Sequence, residues 1–224
     1  MSLKRFPIGV QDFAVIREDS KYYVDKTDLI YKLVQSDRYY FLSRPRRFGK
    51  SLLVSTLQCY FEGRKELFTG LAMERLEKEW KKYPVIRLDM SIVKYSDKNS
   101  LANSLNKILE EHEIRFGVPS DKECHTWGVR MARIIEAAYK QTGEQVVILV
   151  DEYDAPMLDT FDLADFNDVR LQVRSLYSPF KALGGILRFV FLTGISKFSQ
   201  LSIFSELNNL NVITMDDEYA AICG

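Results

Sequence analysis

Several residue types that build common sites are scarce in this sequence. Its 224 residues contain only three cysteines (Cys59, Cys124, Cys223), scattered without metal-ligand spacing. An odd, sparse set does not make a disulfide framework and suits a reducing compartment. There are two histidines, His112 and His125, so a His-rich metal centre and a protease-type triad both lack material. Charge of one sign is missing too. Thirty-one basic residues balance thirty-one acidic ones, and the pI is near 6.8. Binding to nucleic acid or to an acidic surface would therefore need a local patch. No apolar run approaches the eighteen residues of a membrane span, and MSLKRFPIG has no apolar core of signal-peptide length. The expectation is a soluble, cytoplasmic protein with no membrane partner.

What is present is an alternation. Short apolar runs at 39–43, 83–91, 145–150 and 186–194 read as strands. Amphipathic stretches at 50–62, roughly 97–115, 125–141 and 168–183 read as helices, and 22–35 reads as a strand or loop that feeds a helix. Residues 8–13 read as extended. Asp25 or Thr27 is the expected cap of the first helix, with Leu29, Ile30, Leu33 and Val34 as its buried face. Gly117-Val118-Pro119 breaks one helix pair, and Gly184-Gly185 ends the last helix. MDDEYAAICG (215–224) starts as a helix and stops. No repeat or linker divides the chain. Strand–helix alternation predicts an α/β fold with a mainly parallel central sheet covered on both faces. We expect one domain over 1–224, continued by residues absent from this chain.

The stretch YYFLSRPRRFGKSLL (39–53) places four cations around one glycine. It nearly matches the phosphate-binding loop G-x-x-x-x-G-K-[ST], but Arg44 stands where the first glycine belongs. The closing half is intact. Gly49 lets backbone N–H groups approach phosphate oxygens, Lys50 would reach the β- and γ-phosphates, and Ser51 would place its hydroxyl on Mg²⁺. Main-chain N–H groups from Arg46, Arg47, Phe48, Gly49, Lys50, Ser51 and Leu52, at a helix N-terminus, would cradle the anion. Pro45 would stiffen the turn in place of the lost glycine. The same residues also suit a plain basic strand-to-helix turn or a patch that contacts DNA or RNA phosphates.

About a hundred residues on, EQVVILVDEYDAP (144–156) ends a buried strand in two acids, the Walker B pattern. Asp151 would hold Mg²⁺ and Glu152 would orient or deprotonate an attacking water. A strand cap and a solvated glutamate are the bland alternatives. A third strand ends in Thr193, beside Gly194 and Ser196, and would offer a polar sensor to the γ-phosphate or the water, or else a hydroxyl that satisfies the last strand carbonyls. Asp154 suits a bond to neighbouring backbone or to a basic loop residue, and Asp89 a place near the same sheet edge, but structural caps fit both better. Arg46 and Arg47 suit phosphate, Asp154 or a partner. Arg170, Arg174 and Arg188 fit a charged helix face better than an arginine finger. The catalytic candidates are thus Lys50, Glu152 and Thr193, and the metal candidates Ser51 and Asp151.

With these blocks in place, the chain closely resembles the predicted AAA-ATPase-like family of bacteria. The matching stretches are LKRFPIGVQDF (3–13), YYVDKTDLIYKL (22–33), YYFLSRPRRFGKSLL (39–53), YFEGRKELFTGL (60–71), YPVIRLDMS (83–91), VVILVDEYDAP (146–156) and FLTGISKFSQLSIFSELNNL (191–210). In that family an arginine at position 44 is normal. The resemblance implies a three-layer P-loop NTPase core of the additional-strand type, in which the sensor strand separates the acidic strand from the phosphate-loop strand. It implies ATP as ligand, Mg²⁺ as cofactor and a hydrolase activity. It also implies a helical lid and, in many members, a C-terminal nuclease-like domain, through which a protein partner or nucleic acid would be engaged. Two functions compete with ATP hydrolysis: a nucleotide-gated switch with little turnover, and a nucleic-acid-binding domain.

Overall fold

The computed structural model describes residues 4–93, 95–119, 126–196 and 210–223. Among them five strands form one all-parallel sheet in the order β2-β3-β4-β1-β5. The strands are β1 (Tyr39–Ser43), β2 (Val85–Asp89), β3 (Val146–Asp151), β4 (Leu187–Gly194) and β5 (Asn211–Val212). The helices are α1 (Phe13–Glu18), α2 (Thr27–Ser36), α3 (Lys50–Phe61), α4 (Ala72–Leu76), α5 (Lys98–Arg115), α6 (Trp127–Thr142), α7 (Ala155–Leu158), α8 (Phe166–Tyr177) and α9 (Pro179–Ala182). This is an α/β architecture of the P-loop NTPase kind.

The near-continuous apolar runs are explained by burial on both sides. Along β4, Phe189 and Phe191 enter one core while Val190 and Leu192 enter the other. Along β3, Val147 and Leu149 alternate in the same way with Ile148 and Val150. One core is closed by α1 to α4, the other by α5 to α9. A parallel sheet needs such cover because its connections run over its faces. The chain leaves β1 through α3 on one face and leaves β3 through α7 to α9 on the other. The order reverses at β1, so a crevice opens at the carboxyl ends of β1, β4 and β3, where open sheets of this kind bind ligands.

Local chemistry fixes the helix ends. Asp97 and Ser100 form a reciprocal capping box at α5. Thr126 caps α6, which stops at Gly143 with φ +69°. At α2 the cap position falls on Lys26 without a side-chain cap bond, so neither expected residue is the cap; Asp25, one residue earlier, accepts from the amide and hydroxyl of Thr27. Ile30, Leu33 and Val34 are buried there as expected, and Leu29 packs half-buried beside them.

Three further expectations are corrected. The helix over 168–183 is two: α8 ends at Tyr177 and α9 begins at Pro179, whose missing N–H interrupts the ladder. The helical start at 215–224 is one 3-10 turn, Asp217–Tyr219, capped by Asp216. The extended stretch at 8–13 stops short of Phe13, which opens α1 under an Asp12 cap. Residues 197–209, part of the last matching stretch, lie outside the described residues.

Candidate functional site

The loop after β1 supplies the basic half. Its first residue, Arg44, donates its amide to the Gly194 carbonyl at 3.1 Å. Its guanidinium reaches back to the carbonyl of Thr214, just past β5, and to that of Ser43. A glycine there could make neither side-chain bond. The arginine is a strut between the loop and the segment just past the neighbouring strand. Arg47 and Gly49 both take positive φ, +66° and +78°. These two left-handed residues turn the chain so that α3 starts at Lys50 with its N–H groups facing the crevice. Arg46, Arg47, Phe48 and Gly49 are exposed, while Ser51 and Leu52 are half-buried in the first turn of α3. Lys50 is only 3% exposed, and its ammonium folds onto the carbonyls of Arg44 (3.1 Å) and Pro45 (3.2 Å).

The turn after β3 supplies the acidic half. Asp151 is 2% exposed. The Thr193 hydroxyl donates to its Oδ1 at 2.6 Å and accepts from the Glu152 amide at 3.3 Å. Thr193 is thus fully buried and stands between the two acids. Glu152 has φ +51°. Its Oε1 lies 3.8 Å from the Lys50 ammonium, which joins the two halves. Asp154 is completely buried and accepts from the amides of Ile195 and Ser196. It therefore bonds to neighbouring backbone, as one sequence reading had it. Asp89, opposite Asp151 in the sheet, accepts from the amide and hydroxyl of Ser91 and is a cap.

The electrostatics follow from this crowding. Burial pushes the Glu152 carboxyl above its ordinary value, and the nearby Asp151 and Asp154 add to the rise, while Lys50 and Arg46 oppose it. Burial also raises Asp154, against the pull of the Ser196 and Ile195 amides and of Lys50.

Among the described residues no group of three or more histidine, cysteine, aspartate or glutamate side chains could hold a metal alone. One buried carboxylate beside a helix N-terminus fits instead a cation that keeps its water and takes phosphate oxygens, the habit of Mg²⁺. Asp151 and Ser51 are the side chains that would be asked to serve it. Next to the loop lies an apolar cleft of about 350 Å³, walled by Phe6, Tyr22, Val24, Phe48 and Leu52 and floored by Ile222 and Cys223.

Sequence reasoning brought Lys50, Asp151, Glu152 and Thr193 to one sheet edge, and the geometry unites them there. Arg188 lies at the opposite end of β4, bonded to the Val34 carbonyl, and Arg170 and Arg174 sit half-buried on α8. What sequence reasoning missed are the links: the Arg44–Thr214 strut, the cleft, and the bonds of Tyr153, whose amide meets the Thr193 carbonyl and whose hydroxyl meets that of Ser196, both at 2.8 Å. No spacing signals a bond across 40 to 170 residues.

Comparison with known proteins identifies the family. A protein of Azotobacter chroococcum mcd 1, described as an uncharacterized protein in the vnfD 5' region, is 41% identical over 226 residues, covering 100% of this chain and 43% of its own length. The chain thus spans less than half the length of that relative. The family described as predicted AAA-ATPase matches residues 7–204. Loop, acidic strand and intervening strand all fall within that span, and the chain belongs to the predicted AAA-ATPase family.

Proposed function

We propose that the chain is a nucleotide-binding P-loop module that hydrolyses ATP to ADP and phosphate with Mg²⁺. The carrying observation is the 3.8 Å approach of the Lys50 ammonium to the Glu152 carboxylate, beside the buried Asp151. The N–H groups of 46–52 and the positive end of α3 would hold the phosphates. Lys50, released from the loop carbonyls, would turn to the β- and γ-phosphates. Glu152 would orient a water for in-line attack on the γ-phosphorus and accept its proton as the bond to the β-phosphate oxygen breaks. Thr193 would hold both acids in register. Bound Mg²⁺, held through Ser51 and Asp151, would neutralise charge on the phosphates. The apolar cleft beside Phe48 would take the base, and an apolar wall disfavours guanine, which has more polar edge atoms to strip of water than adenine.

No helix among the described residues is long and apolar enough to cross a membrane. Cys59 and Cys223 are buried free thiols, and burial raises Cys59 to about 12. Both suit a cytoplasmic setting. A protein partner, an attached effector domain, or nucleic acid bound through a longer protein would receive the effect of the nucleotide cycle.

Thermal shift and phosphate release test the reading, with ATP or GTP and Mg²⁺, on wild type, Lys50→Ala and Glu152→Gln. Expected are a shift with ATP, lost in Lys50→Ala, and turnover lost in both variants. A shift with no turnover above background in wild type would favour the nucleotide-gated switch. Loss of the shift to added DNA at low salt would favour the nucleic-acid reading.

A further inference from the structure

Glu152 is a non-glycine residue with positive φ, +51°. That conformation is unfavourable by roughly 1–2 kcal/mol for an L-residue, so something must impose it. The turn it opens is bonded at every step to the end of β4. The Glu152 amide meets the Thr193 hydroxyl and the Tyr153 amide the Thr193 carbonyl. The Tyr153 hydroxyl meets the Ser196 carbonyl. Asp154, fully buried, then closes the turn from its far side: Oδ2 accepts from Ile195 N at 3.0 Å and Ser196 N at 2.9 Å, and Oδ1 lies 3.3 Å from Ile195 N. Gly194 is the permissive element. A Cβ there would sit 2.6 Å from both the Asp154 carboxylate and the buried Tyr153 ring.

We propose that Asp154 is a positioning residue: its buried carboxylate clamps the main chain at Ile195 and Ser196, and the clamp, which only a glycine at 194 admits, holds Glu152 in the left-handed turn that directs its carboxylate toward Lys50. The inference rests on the hydrolase reading for its catalytic consequence, and on geometry alone for the clamp. Asp154 touches no reacting atom. Without it the segment after β4 loses its anchor, Glu152 relaxes toward ordinary φ, and its carboxylate leaves the Lys50 side of the crevice.

The test uses Asp154→Ala, Asp154→Asn, Gly194→Ala and the milder Tyr153→Phe in the whole chain, with two kinds of readout. In nucleotide-free protein, amide hydrogen exchange at Ile195 and Ser196 should quicken at least tenfold in Asp154→Ala and Gly194→Ala, while Val190 to Leu192 inside β4 stay protected. With ATP, kcat should fall about ten- to a hundredfold, the scale of a misplacement near 1 Å, with KM and nucleotide affinity within about threefold. Asparagine can put its one carbonyl oxygen where Oδ2 stands and still accept from both amides, but its NH2 then faces the Ile195 N–H from the Oδ1 side, so Asp154→Asn should recover only part of kcat. If Asp154→Ala does not fold, Tyr153→Phe should give a smaller drop of the same kind. Unchanged exchange at 195 and 196 overturns the clamp. Quickened exchange with kcat unchanged, or with kcat and affinity falling together, overturns the positioning role. Wild type that binds ATP without turnover sinks the hydrolase reading, while exchange still decides the clamp.

Discussion

The two turns that meet at the sheet edge are built in opposite ways. The loop after β1 is exposed from Arg46 to Gly49, and its shape depends on two left-handed residues and one strut. The turn after β3 is buried at Asp151 and Asp154 and is bonded to β4 through side chain and main chain alike. On the proposed reading, a phosphate group would bring its own charge and order to open N–H groups and a lysine with replaceable partners, whereas the acids that would handle water and a proton must be held beforehand. The comparison teaches that one half of the site is left open and the other is set by the fold.

The largest effect separates the halves by function. Lys50→Ala should weaken nucleotide at least a hundredfold and erase the thermal shift. Glu152→Gln should keep the shift and cut phosphate release about 10²–10⁴-fold. Equal losses of binding in both variants would remove the division of labour. Next in size, Thr193→Val strips the hydroxyl from the buried Asp151 and the Glu152 amide. Leaving them unsatisfied should cost about 1–3 kcal/mol in urea unfolding, with turnover lowered and nucleotide affinity little changed. Gly49→Ala forces a side chain into φ +78°. Stability should drop by about 1–2 kcal/mol and the ATP-induced shift should shrink, while Ser91→Ala, on a cap away from the loop, should leave the shift intact.

The smallest effect concerns pH. Because burial raises Glu152, its charged form is disfavoured in the folded chain. The cost to stability is present above the raised value and disappears below the ordinary value of 4.5. Glu152→Gln should therefore raise Tm by about 1–3 °C at neutral pH, a gain that vanishes as pH falls through that window. A gain that persists at low pH would mean that the Glu152 charge is not its source.

Much of the fold is legible in the sequence because its signals are local. VVILV and FVFL are apolar on consecutive residues only because both faces of the sheet are covered, and GKS follows a strand and opens a helix. The break at Pro179 was obscured because Tyr177 and Phe180 continue the buried stripe across it. β5, two residues long, is too short to carry a pattern. In the site, Lys50, Asp151 and Glu152 announce themselves through residue type and order. The roles of Arg44, Thr193 and Asp154 do not, since each is defined by a partner distant along the chain and an arginine, threonine or aspartate has the same composition in a cap as in a clamp.

The sheet order has a consequence for the protein's birth. Lys50 and Glu152 are brought to bear on each other with β4 seated between their strands, and β4 ends at Gly194. A ribosome-bound chain that has released the loop and even both acids still has a gap in the middle of the sheet. On the proposed reading, competence for nucleotide therefore waits at least until the fourth strand slots between two others already made, and ligand capture during synthesis would report that the centre of the sheet has closed.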